Sequence, residues 1–250
     1  QGPLTIPDDV TKISDGAFAN TMITSLVLPD GITSIGARSF WNCFELSTIE
    51  FGKSSQLTKI GESAFENCTA LTTVKIPEGV TKIEDYTFSG CSNLKNATIG
   101  NNVTNIGIGA FEYCTELINI IFGQNRKLNS IDVCAFDNCR SLKSIEIPDG
   151  VAYIAYEAFS NCIGLTSVTI PDSVTTIGSS AFANEVQGST LTIYCETAEQ
   201  PVGWDSAWNK QQLFYPISHN RLPVVWDYRR NDIADDGNIY TTINGLRYVI

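Results

Sequence analysis

The sequence predicts an α/β solenoid of about eight right-handed coils, each of 22–25 residues, pairing a short parallel strand with a short helix and ending in a C-terminal cap. Three observations predict it. Phenylalanine recurs at Phe18, Phe40, Phe65, Phe88, Phe111, Phe136, Phe159 and Phe182, at spacings of 22, 25, 23, 23, 25, 23 and 23. Isoleucine recurs five residues before each of them, at Ile13, Ile35, Ile60, Ile83, Ile106, Ile131, Ile154 and Ile177. Cysteine follows three residues after six of them, at Cys43, Cys68, Cys91, Cys114, Cys139 and Cys162. A fixed period in this window marks a solenoid whose units bury their apolar columns only against one another.

Coils are numbered here from starts at residues 1, 23, 46, 71, 94, 117, 142 and 165, and Phe takes position 18. The cleanest copy runs from Leu165 to Glu185 as LTSVTIPDSVTTIGSSAFANE. Positions 4 to 6 alternate apolar, polar, apolar, which predicts a short half-buried strand. Strands in parallel register lie ~4.8 Å apart, so eight coils make a rod roughly 40 Å long. Pro or Gly at position 7 ends each strand (Pro7, Pro29, Gly52, Pro77, Gly100, Gly123, Pro148, Pro171). Gly at position 14 in four copies, followed by the Phe segment, predicts a tight turn into a short helix. The third and sixth coils are two residues longer in the same loop, at Lys53-Ser54-Ser55-Gln56 and Gln124-Asn125-Arg126-Lys127. Two insertions in one register predict two basic-polar bumps on one face, three coils apart.

The six cysteines at position 21 point the same way in equivalent coils, whereas a disulfide needs converging Cβ vectors. They are expected to form a buried thiol ladder whose S–H groups donate weakly to turn carbonyls. The spacing is too long for a zinc knuckle, and His219 is the single histidine. Cys134, at position 16, is expected on the outer face and is the candidate reactive thiol. Cys195 is expected to be buried in the cap. The acids Asp8, Asp30, Glu78, Asp149 and Asp172 share position 8 and predict a solvated turn edge.

The string LxxLxIPxxVxxIGxxAFxxC resembles the BspA-like, Treponema-type leucine-rich repeat family over residues 1 to about 193. The resemblance implies a leucine-rich-repeat solenoid (1–193), a capping segment (194–228) within the closing stretch TIYCE…GWDSAWN…PVVWDY (192–228), and a non-catalytic cell-surface or secreted protein of host-associated microbes. Several such proteins are adhesins. Residues 229–250 predict a linker and a β-hairpin turning at Asn244-Gly245, as the opening of a following module. An acid-rich run at 232–238 lacks the order of a calcium loop and is expected to be linker.

The charge excludes further classes. With 27 acids against 16 bases the net charge is −11, so nucleic-acid binding is not expected. No apolar run is long enough to span a membrane. No GxSxG, P-loop, HExxH or EF-hand loop is present, so no cofactor, metal or catalysis is expected. The outward strand positions carry mostly small hydroxyls. Departures at Val27, Glu50, Lys75, Ile121 and Glu146, with Ile118 and Lys143 beside them, are the candidate protein-binding residues for a host or neighbouring-cell partner. The alternative is a carbohydrate-binding or spacer module of a larger polysaccharide-handling protein, with Trp204, Trp208 and Trp226 as the glycan site.

Overall fold

A computed structural model describes residues 2–123, 127–184, 190–209, 222–233, 239–243 and 246–249. Eight coils stack in parallel, and three ladders, two of them interrupted, run along the stack. The front ladder is the row of short strands at positions 3 to 5. It begins at Leu4–Thr5, Ser25–Val27 and Thr48–Glu50, then runs Thr73–Lys75, Asn96–Thr98 and Asn119–Ile121, then Ser144–Glu146, Ser167–Ile170 and Thr192–Cys195. All pairings are parallel and join equivalent positions, such as Leu26↔Ile49 and Ile145↔Val168. The sequence pattern places the strand one residue later, at positions 4 to 6, up to the Pro or Gly at position 7.

A rear ladder of two-residue strands, unforeseen from the sequence, uses positions 12 and 13, from Lys12–Ile13 to Thr176–Ile177. It buries the Ile column almost completely.

The predicted short helices are absent among the described residues; a chain of turns takes their place. The cause is backbone chirality. Positions 16 and 20 adopt φ of 53° to 70° in coil after coil, as at Arg38 and Asn42, Ser63 and Asn67, Tyr86 and Gly90, Cys134 and Asn138. A left-handed residue every fourth position prevents the i→i−4 bonds of an α-helix. Odd positions close i→i−3 turns, as in Glu66 N–H to Ser63 C=O (3.2 Å) and Cys68 N–H to Phe65 C=O (3.2 Å). Even positions donate along the rod to the next coil: Ser63 to Asp85 (2.9 Å), Phe65 to Thr87 (2.9 Å), Asn67 to Ser89 (2.7 Å). This turn ladder is the third row of inter-coil hydrogen bonds. The recurrent Asn at position 20 is its sequence mark, since Asn tolerates the left-handed region, and its side chains also pair, as Asn67 Nδ2 to Asn42 Oδ1 at 3.0 Å.

The core lies between the ladders. The eight Phe rings form one stack, with centroids 5.2–5.5 Å apart and planes within 14°. All are buried except Phe18, which is half-buried at the first coil. The position-14 glycines mark close approach. A Cβ on Gly61 would lie 2.5 Å from the Ala37 nitrogen, and one on Gly178 2.5 Å from the Tyr156 nitrogen.

The ladders end on the cap together. Val224–Val225 pairs in parallel with Thr192–Cys195. Trp204 bridges to Ile177. Ser180 N–H donates to Ala207 C=O at 3.2 Å. Trp208 meets the last ring, Phe182, edge-on at 6.1 Å. Beyond the cap, Arg229–Ile233, Ile239–Ile243 and Leu246–Val249 form a three-stranded antiparallel sheet. The segment expected as linker therefore contributes a strand over 229–233; the Asn244-Gly245 turn and residues 234–238 lie outside the described residues.

Candidate functional site

The cysteine column is an ordered part of the core. Every ladder thiol is free and buried. Each Sγ–H donates to the Phe carbonyl of the preceding coil: Cys43 to Phe18 (3.1 Å), Cys68 to Phe40 (3.3 Å), Cys91 to Phe65 (3.3 Å), Cys114 to Phe88 (3.2 Å), Cys139 to Phe111 (3.3 Å), Cys162 to Phe136 (3.2 Å). Thr21 holds the same position at the first coil and donates to Phe18 at 2.7 Å; Glu185 lies outside the described residues. Burial pushes the Cys91 thiol up to about 12, and raises Cys68, Cys114 and Cys139 well above the ordinary value. These groups stay protonated and inert at neutral pH.

Cys134, expected as an outer-face reactive thiol, sits on the turn ladder, where its N–H donates to Tyr156 C=O at 3.1 Å. It is half-buried, and burial followed by the charges of Asp137, Glu157 and Glu112 pushes it up to about 12. Its thiol lies 3.8 Å from Glu157 Oε2. A carboxylate-ringed thiol is a poor nucleophile, because reactivity needs the thiolate. Cys195 is buried, and burial raises it to about 12.

The front ladder is interrupted twice, once after the third coil and once after the sixth, so it consists of blocks of three strands. Both breaks follow the longer coils. At other junctions the position-6 N–H donates to the next coil, as Leu28 to Glu50 (2.9 Å), Ile76 to Thr98 (2.9 Å) and Ile147 to Thr169 (3.0 Å). Phe51 and Phe122, the two phenylalanines at position 6, form no such bond. Both rings are half-buried where other coils bury Ile or Leu at this position, and Ile49 and Ile120 beside them are half-buried too. At the first break a cavity of about 380 Å³ opens, lined by Ile49, Phe51, Lys53, Ser54, Lys75 and Glu78. Asp30 Oδ1 accepts the Ser54 N–H at 2.9 Å and pins the inserted loop. Gly52 is required there, because a Cβ would lie 2.0 Å from that same carboxylate oxygen. Of the second loop, Gln124, Asn125 and Arg126 lie outside the described residues.

These breaks organise the candidate binding residues. Glu50 ends the first block and Lys75 begins the second; Ile121 ends the second and Glu146 begins the third. All four are exposed, Ile121 by 55%. Ile118 and Lys143 are exposed just before the strands of Ile121 and Glu146. Val27 stands apart: it is half-buried and pairs with Glu50 within the first block. The Phe-Gly pair before each insertion is the signal that would have found the breaks.

The tryptophans serve the cap. Trp208 is fully buried and Trp204 is 4% exposed, while Trp226 is half-buried. They pack on one another at 4.9–6.5 Å. Trp204 Nε1 donates to Val174 C=O (3.0 Å) and Trp208 Nε1 to Gln200 Oε1 (3.2 Å). Their burial leaves no open indole face on Trp204 or Trp208 for a sugar to stack on. The position-8 edge is built of caps between coils, as Glu78 Oε2 accepting the Asn101 N–H at 2.9 Å.

Residues 3–118 and 109–199 match the family model described as the BspA type leucine-rich repeat region, in six copies. The chain is similar to a leucine-rich cell surface protein of Faecalibacterium prausnitzii, with 27% identity and a TM-score of 0.53 over 80% of this chain and 69% of that one. It is similar also to the leucine-rich repeat protein of T. pallidum, with 25% identity and a TM-score of 0.60 over 65% of this chain and 77% of that one. No curated protein matches the sequence.

Proposed function

The chain belongs to the BspA-type leucine-rich repeat family, and from that premise we propose that it is a non-catalytic, adhesive binding module of a cell-surface or secreted protein. Its partner is a host or neighbouring-cell protein, held on the front strand face. One observation carries the reading. The exposed residues that break the hydroxyl pattern, Glu50, Lys75, Ile121 and Glu146, flank the two interruptions of the front ladder. An apolar anchor at Ile121 with charges beside it has the composition of an interface centre and rim. The likeness to a bacterial protein described as a cell surface protein supports the location.

The test is binding to a panel of immobilised extracellular-matrix and plasma proteins, with polysaccharides alongside. Saturable binding to a protein is expected. It should weaken by about tenfold or more in an Ile121→Asp/Lys75→Glu variant, the loss of a central anchor being worth 1.4 kcal/mol or more. Both residues are exposed, so the melting temperature should hold. Binding that ignores this variant removes the strand face from the reading, and binding only to polysaccharide replaces the protein partner by a glycan.

A further inference from the structure

A second surface lies on the turn ladder, away from the front strands. Positions 15 to 20 of coils 2 and 3 carry small or polar side chains on the outside, apart from Trp41. In coils 4 to 7 they carry Tyr86, Ile108, Tyr113 and Tyr156, exposed by 38%, 37%, 51% and 46%. These residues sit on adjoining rungs of the turn ladder: Tyr86 N–H donates to Ile108 C=O (2.8 Å), Tyr113 N–H to Asp137 C=O (2.9 Å) and Cys134 N–H to Tyr156 C=O (3.1 Å). The patch is shaped by a backbone feature. Gly109 takes the left-handed position 16, and a Cβ there would lie 2.5 Å from the Tyr86 ring. The missing side chain leaves room for that ring against the next coil, where it stays 38% exposed.

The rim is acidic. Glu112 Oε2 and the Tyr86 ring both border the open side of Gly109, the Asp137 carbonyl accepts the Tyr113 N–H at 2.9 Å, and Glu157 Oε2 lies 3.8 Å from the Cys134 thiol. Asp85 and Glu62 approach Tyr86, and Arg140 is the cation that approaches Tyr113. The two ion pairs identified among the described residues, Arg38–Glu62 and Lys82–Glu84, leave Glu112, Asp137 and Glu157 out. Glu112 and Asp137 are held above the usual carboxylate range, by burial first, with Asp137 and Glu66 adding repulsion at Glu112 and Glu157 at Asp137. Partly dehydrated carboxylates beside exposed aromatic faces favour a cation, which pairs with the first and stacks on the second.

We propose that this tyrosine–carboxylate patch docks an arginine- or lysine-rich segment of a partner polypeptide. Guanidinium or ammonium groups lie on the Tyr86, Tyr113 and Tyr156 rings and pair with Glu112 and Glu157. Four coils at ~4.8 Å span about 14 Å between the outer ones, the reach of roughly four extended residues. The site goes beyond the strand-face reading and does not depend on it.

A fluorescent peptide of alternating Arg and Gly, with a Glu–Gly peptide as its counterpart, provides the probe, read by anisotropy at low and at physiological salt. Saturable binding of the Arg–Gly peptide alone is expected. Tyr113→Ser keeps the net charge at −11 and should weaken it by about tenfold, the worth of one lost cation–π and packing anchor. Glu112→Gln/Glu157→Gln should weaken it and flatten its salt dependence. Glu50→Gln/Glu146→Gln removes the same charge from the front strands and should change little. Each variant is compared at matched melting temperature, and Tyr113→Phe should retain binding. The proposal is overturned if the Arg–Gly peptide does not saturate. It is overturned as well if the Tyr113→Ser protein binds like the parent, or if the two charge variants weaken binding equally, since net charge alone would then account for the attraction.

Discussion

Phe88→Ala is expected to cost about 3–5 kcal/mol and to change how the protein unfolds. The ring is fully buried between Phe65 at 5.5 Å and Phe111 at 5.4 Å. Its removal leaves a void and deletes two stacking contacts, each worth about 0.5–1.5 kcal/mol beyond burial. A solenoid is held by nearest-neighbour contacts, so a weak coil in the middle uncouples the two sides. Phe88 also sits in the coil just after the first break, where coupling is already thin. Calorimetry and urea titration should show two transitions in place of one. Phe18→Ala, at a half-buried ring with one stacked neighbour, should cost much less and leave one transition. Equal costs at the two positions would contradict the stacked-core account.

Stability should fall steeply in alkali. The thiols of Cys68, Cys91, Cys114 and Cys139 are raised in the fold, mainly by burial, Cys91 to about 12. In the unfolded chain they return to about 8.5. A group whose folded value is raised stabilises the fold fully below the unfolded value, and the contribution disappears as pH climbs towards the folded one. Between about pH 8.5 and 12 Cys91 therefore subtracts about 1.4 kcal/mol per pH unit, and Cys68, Cys114 and Cys139 act in the same direction. Tyr86, Tyr113, Tyr156 and Lys82 are raised as well, so they act in the same direction. Cys91→Ala isolates one thiol. Its cavity lowers stability at every pH, but the slope above pH 9 should be shallower by about one thiol's share. Parallel slopes in parent and variant would show that the ladder thiols do not titrate on unfolding.

The columns of Phe, Ile and Cys were legible because each is a single residue type at a fixed register. Burial follows directly from such a column. The turns of positions 14 to 21 were not legible as turns. Ala-Phe followed by polar residues reads as the start of a helix, and the left-handed angle at position 16 falls on Arg38, Ser63, Tyr86, Cys134 and Glu157, which do not announce it. Asn at position 20 was the readable half of that signal. The rear ladder was hidden by its length, since two residues are too few for an alternation to be seen. At the candidate site the individual departures were visible, but their arrangement was not. Glu50 and Lys75 look like scattered substitutions until the insertion before residue 57 is seen to part the strands between them. Trp204 and Trp208 carry no sequence mark that separates a capping plug from a sugar platform; their burial and the Phe182 ring beneath Trp208 appear only in the fold.

The junction between the third and fourth coils has a mechanical consequence. There the front ladder stops at Glu50 and restarts at Thr73, and the rear ladder stops at Ile60 and restarts at Lys82. The turn ladder crosses through Ser63, Phe65 and Asn67, with the ring stack beneath it. At the second break the rear strands continue from Ile131 to Ile154. A rod under tension yields at its least bonded cross-section, so shear transmitted along the array concentrates at the first junction. Pulled from its ends, the protein should release the three N-terminal coils as one step ahead of the rest, and a trace in which coils peel away singly would count against this. In the proposed adhesive role such a fuse would extend the chain under load while the coils beyond it keep their shape.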